Sequence, residues 1–281
     1  MITYRFLSPA DLVPLYECFL EAFSDYQVDM RVSQQQFEQR LARDGVQLEI
    51  TGGAFDDSRM IGFCMNARGL WQERTTAYDS GTAMISAYRG QGVAKELFAF
   101  MVPRLRDTCD QYLLEVLTSN EPAVSLYRKL GFVETRRFAV FRTGEPVKPL
   151  DDLPGVTVRR VEQPEWDLFK SFWDGDPSWQ NSIDAVERIA NDRCIVGAYV
   201  DEACVGYGVV FRQSPNVMQL AVAPAQRRKG IGSRILSALQ LEINECLRVT
   251  NIDEELKGTL AFYEANGFEM VLEQFEMMKT L

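Results

Sequence analysis

The chain has 281 residues, about twice a common domain of ~100–150, which excludes one small domain in favour of two of similar size. Apolar residues at 46% and charged residues at 25% give an ordinary globular balance and exclude a disordered or collagen-like chain. Lys and Arg number 30 against 40 Asp and Glu, and the net charge of −10 repels polyanions, so neither nucleic acid nor an anionic membrane is an expected partner.

In chain order, a strand near 2–7 leads into a helix from about Pro9 to Tyr26, where Leu12, Leu15, Phe19 and Phe23 recur at helical spacing. Ser33 is an N-cap for a second helix reaching Asp44. Strands are expected near 46–55, 59–68 and 77–87, followed by a helix from Gly92 that Pro103 should kink or end. A strand at Tyr112–Leu117, a helix at Glu121–Leu130 and a strand at 136–142 complete this half. Three prolines and two glycines within Thr143–Gly155 interrupt any periodicity and place a linker at 144–155, between domains of 1–143 and 156–281. The second half repeats the order: strand 156–161, helices 164–174 and 182–191, strands 193–200, 204–212 and 217–223, helix 230–243, strand 246–250, helix 256–265 and strand 271–279. This predicts a mixed α/β sheet twice over. Net charge is −3 over 1–146 and −7 over 147–281, which steers a cationic amine more strongly towards the second half.

There is no histidine, which removes Ser-His-Asp and Cys-His catalysis, paired-His zinc sites and imidazole proton transfer together. Proton transfer falls to Asp, Glu, Tyr, Lys, Cys, a terminus or water, and no metal is expected. The six cysteines (Cys18, Cys64, Cys109, Cys194, Cys204, Cys246) form no CxxC pair, as expected of reduced thiols in a cytoplasmic protein. No apolar leader follows Arg5 and no run of ~18 apolar residues occurs, so a soluble protein without a membrane partner is expected.

Two Gly-rich turns expose the repeat. Arg89-Gly90-Gln91-Gly92-Val93-Ala94 aligns with Arg227-Arg228-Lys229-Gly230-Ile231-Gly232 at an offset of 138, and Leu126-Tyr127-Arg128-Lys129-Leu130-Gly131-Phe132 aligns with Phe262-Tyr263-Glu264-Ala265-Asn266-Gly267-Phe268 at 136. Each turn follows an apolar strand and opens a helix, so backbone N–H groups and the positive helix end suit a phosphate or pyrophosphate, with the adjacent arginines and Lys229 adding charge. Neither is a P-loop, and Lys95 and Ile235 stand where a dinucleotide fingerprint needs its third glycine. Further on, Asn120 is a helix N-cap, Pro122 fits the first turn, and Tyr127 beside the buried stripe is either a core ring or a proton donor at a cleft.

Both copies resemble the GNAT superfamily of N-acetyltransferases. Its acyl-CoA loop, [QR]-x-x-G-x-[GA], is matched by both Gly-rich turns, and its later motif, an Asn before a helix that carries Tyr and closes in Gly-Phe, is matched by Asn120, Tyr127, Gly131 and Phe132. The resemblance implies two tandem domains, each a mostly antiparallel sheet with a splayed central strand pair, about 82–87 with 112–117 and 218–223 with 246–250, and flanking helices. It implies acetyl-CoA as co-substrate, held by Met84, Ile85, Ser86, Arg89, Gly90, Gln91, Gly92, Val93, Ala94 and Asn120 in the first copy. In the second, Leu220, Ala221, Val222, Arg227, Arg228, Lys229, Gly230, Ile231, Gly232 and Ser233 hold it. An amine attacks the thioester directly, backbone N–H near Met84–Ile85 or Leu220–Ala221 polarises the carbonyl, and Tyr127 or Tyr263 protonates the leaving thiolate. Asp79 and Glu115 are candidate bases, each open to a purely structural reading.

The copies depart from the pattern differently. Leu256 stands in register with Asn120, Asn251 lies twelve residues before Tyr263, and Asp253-Glu254-Glu255 is inserted; the first copy has Ser86 for the more usual Pro224 and Ala94 for Gly232. The expectation is an acetyl-CoA-dependent N-acetyltransferase acting on a small-molecule or peptide amine, with the first copy catalytic. The alternative is an acyl-CoA-binding or scaffold protein with one or both copies inactive.

Overall fold

The computed structural model describes all 281 residues, and contacts gather them into two units: Met1–Thr135 with Phe275–Leu281, and Arg136–Gln274. In the first unit, β1 (Ile2–Phe6) alternates half-buried and exposed residues, as a strand with one face on the core must. A turn of 3-10 helix at Pro9–Asp11 leads into α1 (Leu12–Ala22), whose Leu15, Phe19 and Ala22 are buried. The Ser33 hydroxyl accepts from the Gln36 amide and caps α2 (Gln34–Asp44), while Gly45 ends it at φ 78°. Then come β2 (Gly52–Asp56), β3 (Arg59–Trp71), β4 (Arg74–Met84), α3 (Val93–Arg106), β5 (Gln111–Leu117) and α4 (Glu121–Lys129). The chain continues into β6 (Val133–Thr143). Strands β1 to β4 pair antiparallel, β4 and β5 parallel.

The second unit follows the same plan, with β7 (Thr157–Arg160), α5 (Trp166–Lys170), α6 (Ile183–Arg188), β8 (Arg193–Val200), β9 (Ala203–Phe211), β10 (Asn216–Val222), α7 (Ile231–Gln240), β11 (Arg248–Asp253), α8 (Lys257–Ala265) and β12 (Phe268–Thr280). Sheet order is β1-β2-β3-β4-β5-β12 in the first unit and β6-β11-β10-β9-β8-β7 in the second. Phe275 and Met277 pack into the first core, Ala139 and Phe141 into the second. The contact division thus differs from the sequence division at the last strand of each copy, because a strand belongs with the ladder and core it completes, whatever its place in the chain.

Local differences from expectation have local causes. Helix α3 runs through Pro103 to Arg106; the carbonyl left without its N–H partner belongs to exposed Ala99, where water can satisfy it. The strand expected from 46 begins only at Gly52, after a 3-10 turn at Leu48–Ile50. Residues 144–155 have no regular structure but are tied to α7: Val147 N–H donates to Gln240, Leu150 N–H to Ser237, and Arg234 bonds Leu150 O and Asp152. No helix is long and apolar enough to cross a membrane.

Candidate functional site

In each unit the site begins at a β-bulge. Pairing of β3 with β4 steps from Met65↔Gly81 to Asn66↔Asp79, leaving Ser80 as the extra residue, and pairing of β9 with β10 steps from Val210↔Val217 to Val209↔Gln219, leaving Met218 extra. The two bulges lie 138 residues apart, the offset of the Gly-rich turns. A bulge bends its strand. The β4–β5 ladder ends at Asp79↔Leu114, and the β10–β11 ladder has the single pair Asn216↔Arg248, so beyond these points each central pair diverges.

The divergence leaves backbone donors unmatched. Ile85 N–H donates to Ile61 O and Ala223 N–H to Val205 O, so by strand alternation the amides of Met84 and Leu220 turn away from those ladders, into the gap. Of the expected pairs Met84–Ile85 and Leu220–Ala221, only Met84 and Leu220 therefore offer an amide. At each turn the glycines take left-handed backbone, Gly90 at φ 74°, Gly92 at 82° and Gly230 at 82°, and Arg228 takes the same region at 63° in place of a glycine. The first helical bonds are Glu96 N–H to Gly92 O and Arg234 N–H to Gly230 O, so the amides of 91–94 and 229–232 remain for a ligand, at the positive helix ends. Buried Val93 and Ile231 anchor the helix starts. Ser86, Gln91, Lys229 and Arg228 are exposed at the turns, with Gln91 donating to Ala87 O and Lys229 to Gln226. Amides without a backbone acceptor at a helix N-terminus suit an anionic group such as the pyrophosphate of CoA.

Arg89 and Arg227, expected beside the phosphates, are bonded to protein. Arg89 bonds Met84 O at 3.0 Å, Ala22 O at 2.6 Å and both oxygens of Asp25 at 2.7 and 2.8 Å, and Arg227 bonds Val222 O at 2.9 Å, Phe172 O at 2.9 Å and Asp174 at 2.8 Å. Both guanidinium groups are turned back onto protein.

In the first unit Tyr127 and Asp79 come together. The Tyr127 ring packs edge-on to Phe98 at 6.0 Å and to Phe132 at 5.8 Å, each such pair adding about 0.5–1.5 kcal/mol to plain burial. Its hydroxyl faces Asp79 and Thr82. The ring is part of the core, and the hydroxyl lies beside a buried carboxylate. Asp79 is 3% exposed; burial raises its carboxyl to about 6, against hydrogen bonds from Thr82 Oγ1 at 2.7 Å and Gly81 N–H at 2.9 Å that favour the charged form. Burial, then the nearby Asp79 charge, pushes the Tyr127 phenol well above its usual range, which keeps it a proton donor. Glu115 lies elsewhere: the buried Tyr78 hydroxyl donates to it, and Arg43 is among its neighbours. Asn120 accepts from the Ala123 amide at 3.3 Å, the N-cap bond expected of it.

The second unit has a half-open cavity of about 490 Å³ between β10, β11, the Gly-rich turn and α8. Tyr263 lines it, packed against Phe268 at 5.2 Å, and burial is the one cause raising its phenol. The 138 offset puts Val217 and Leu220 where the first unit has Asp79 and Thr82. Asn251 takes φ 58° on β11, donates to Ser178 at 3.2 Å and accepts from Gln274 at 2.9 Å, so it cannot cap α8, whose cap position Leu256 makes no side-chain bond. Gly232 lies under Phe262, where a Cβ would meet the ring at 2.9 Å. Its glycine serves helix packing.

Thr82, the bulges and the arginine partners Asp25 and Asp174 escaped the sequence reading. Extending the 138 offset through the central strand reveals Asp79 and Thr82 against Val217 and Leu220; nothing in the sequence marks the bulges. Residues 12–132 match the model of the acetyltransferase (GNAT) family and residues 191–270 that of the acetyltransferase (GNAT) domain. N-alpha-acetyltransferase MAK3 of Arabidopsis thaliana is 29% identical over 85 residues, 30% of this chain and 45% of that one; N-alpha-acetyltransferase 30 of Saccharomyces cerevisiae is 35% identical over 65 residues, 23% and 37%. The matches span less than half of either relative. A tandem GNAT protein from the clavulanic acid biosynthesis pathway superposes with TM-score 0.78 at 13% identity over 100% of this chain and 98% of its own, and a GCN5-related N-acetyltransferase from Sphaerobacter thermophilus with 0.74 at 13% over 99% and 95%. With two family matches in tandem and a likeness of fold along the full chain, this protein belongs to the GNAT acetyltransferase family and carries two GNAT domains.

Proposed function

We propose that the protein is an acetyl-CoA-dependent N-acetyltransferase whose first copy performs the transfer to a primary amine. Acetyl-CoA supplies a thioester carbonyl and a thiolate leaving group. The turn amides of 91–94 receive the pyrophosphate, and the Met84 amide, aimed into the gap, polarises the carbonyl. Asp79, ionised above about pH 6, takes the proton that the amine loses on attack, and the Tyr127 hydroxyl gives its proton to the sulfur. Thr82 and the Gly81 amide hold the Asp79 carboxylate in place. The observation that carries this reading is the meeting of Asp79 and Tyr127 where the strands part. Glu115, engaged by Tyr78, is left a structural part.

The second copy favours the binding reading, because Val217 and Leu220 leave Tyr263 beside its cavity without a carboxylate at the matching position. The acidic surface suits a cationic acceptor, and the relatives' names make peptide α-amines the first acceptors to try. The test is acetyl-CoA with a panel of N-terminal peptides, lysine peptides and small amines, read as free thiol released and acetylated product by mass. Acetylated amine that requires the protein supports the reading. CoA binding with no product from any amine replaces it with acyl-CoA binding alone.

A further inference from the structure

The two arginines that open the CoA loops make the same three-way contact with protein in both copies. In each, Nε meets the carbonyl that ends the central strand, one terminal nitrogen meets a carbonyl at or just past the end of the unit's first helix, α1 or α5, and an aspartate on the next few residues closes the pair. The carbonyls of Ala22 and Phe172 sit at or just past helix C-termini, where partial negative charge favours a cation. The aspartate stands three residues past the first carbonyl acceptor in one copy and two in the other. The contact has thus been built twice over loops of different length.

The segments held in this way face the site. In the second copy, Phe172, Trp173 and Asp176 line the same cavity as Arg227 and the Gly-rich turn, and Trp173 bonds Tyr207 at 2.6 Å. In the first copy Tyr26, directly after Asp25, faces Asn120 at the start of α4, and Gln27 accepts from Ser119 at 3.0 Å. We infer that Arg89 and Arg227 are positioning residues that fasten each CoA-loop cradle to a segment walling the site, so that the wall's placement depends on an ion pair between protein groups. For the first copy this rests on the acyl-transfer reading and makes Asp25 and Arg89 determinants of how the amine sits.

Asp25→Asn removes the carboxylate and leaves every loop amide and every basic residue in place. Hydrogen exchange of 22–32 with and without CoA, beside CoA titration by calorimetry, separates the two roles. The latch predicts CoA affinity within about threefold of wild type, CoA-dependent protection of 22–32 in wild type, and loss of that protection in Asp25→Asn. Asp174→Asn, read over 171–177, repeats the test in the second copy should the first variant fold poorly. With an acceptor in hand, its KM rises roughly fivefold in Asp25→Asn while kcat holds, and Asp25→Glu recovers part of the loss. Equal protection of 22–32 in wild type and variant, with CoA bound to both, overturns the latch; absence of turnover alongside the predicted exchange pattern overturns only the transfer reading.

Discussion

The two centres share a frame and differ in polarity. Both have a bulged central strand, a parting pair of strands, a cradle of amides and a buried tyrosine on the following helix. The first surrounds its tyrosine with Asp79 and Thr82; at the matching positions the second has Val217 and Leu220. On the proposed reading the frame holds the thioester and the polar pair moves protons. Binding and chemistry are on that reading separable, with substitutions in one copy as controls for the other.

The largest expected effect is on turnover. Asp79→Asn keeps size and removes the proposed base, so turnover at pH 8 falls roughly 10²- to 10⁴-fold, whereas Val217→Asn leaves it within about twofold. Wild-type kcat/KM rises with pH through an apparent pKa of about 6, and this limb is absent from the residual activity of Asp79→Asn. The same group sets a stability signature of known sign. Its folded pKa of about 6 lies above the ordinary 3.8, so the native state binds more protons between those values and loses stability as pH rises through that window. Asp79→Asn removes a penalty of up to about 3 kcal/mol above pH 6 and almost none below pH 4, read as the difference in unfolding midpoint between pH 8 and pH 4.

Smaller effects sharpen the comparison of the loops. Gly232→Ala drives a Cβ against Phe262 and costs about 1–2 kcal/mol in thermal unfolding, while Ala94, its counterpart, already carries that atom. An unchanged midpoint means that α8 yields freely. Smallest is Arg228→Gly, which relieves left-handed backbone at φ 63° and adds at most about 1 kcal/mol, bringing the second turn to the solution that Gly90 gives the first.

Much of this was legible in the chain. Helix-period leucines and phenylalanines gave α1, Ser33 gave the start of α2, and the repeated Arg-x-x-Gly and Tyr-x-x-x-Gly-Phe patterns gave two copies with their tyrosines and turns. What escaped depends on contacts distant in sequence. A bulge at Ser80 or Met218 follows from how two strands meet, and the placement of β6 and β12 from which ladder each completes. Charge beside a phosphate loop is the local expectation for Arg89, whereas its bonding partner Asp25 lies 64 residues away. Asp79 and Glu115 were equivalent as letters, and burial beside Tyr127 or bonding to Tyr78 told them apart.

The central claim is that the first copy does the chemistry. Its most direct measurement is acetyl transfer by Tyr127→Phe and Tyr263→Phe in one assay, each variant also titrated with CoA. The account predicts that Tyr127→Phe lowers kcat by roughly 10²-fold or more with CoA still bound, and that Tyr263→Phe stays within about twofold of wild type. Loss of turnover in Tyr263→Phe with Tyr127→Phe active contradicts it.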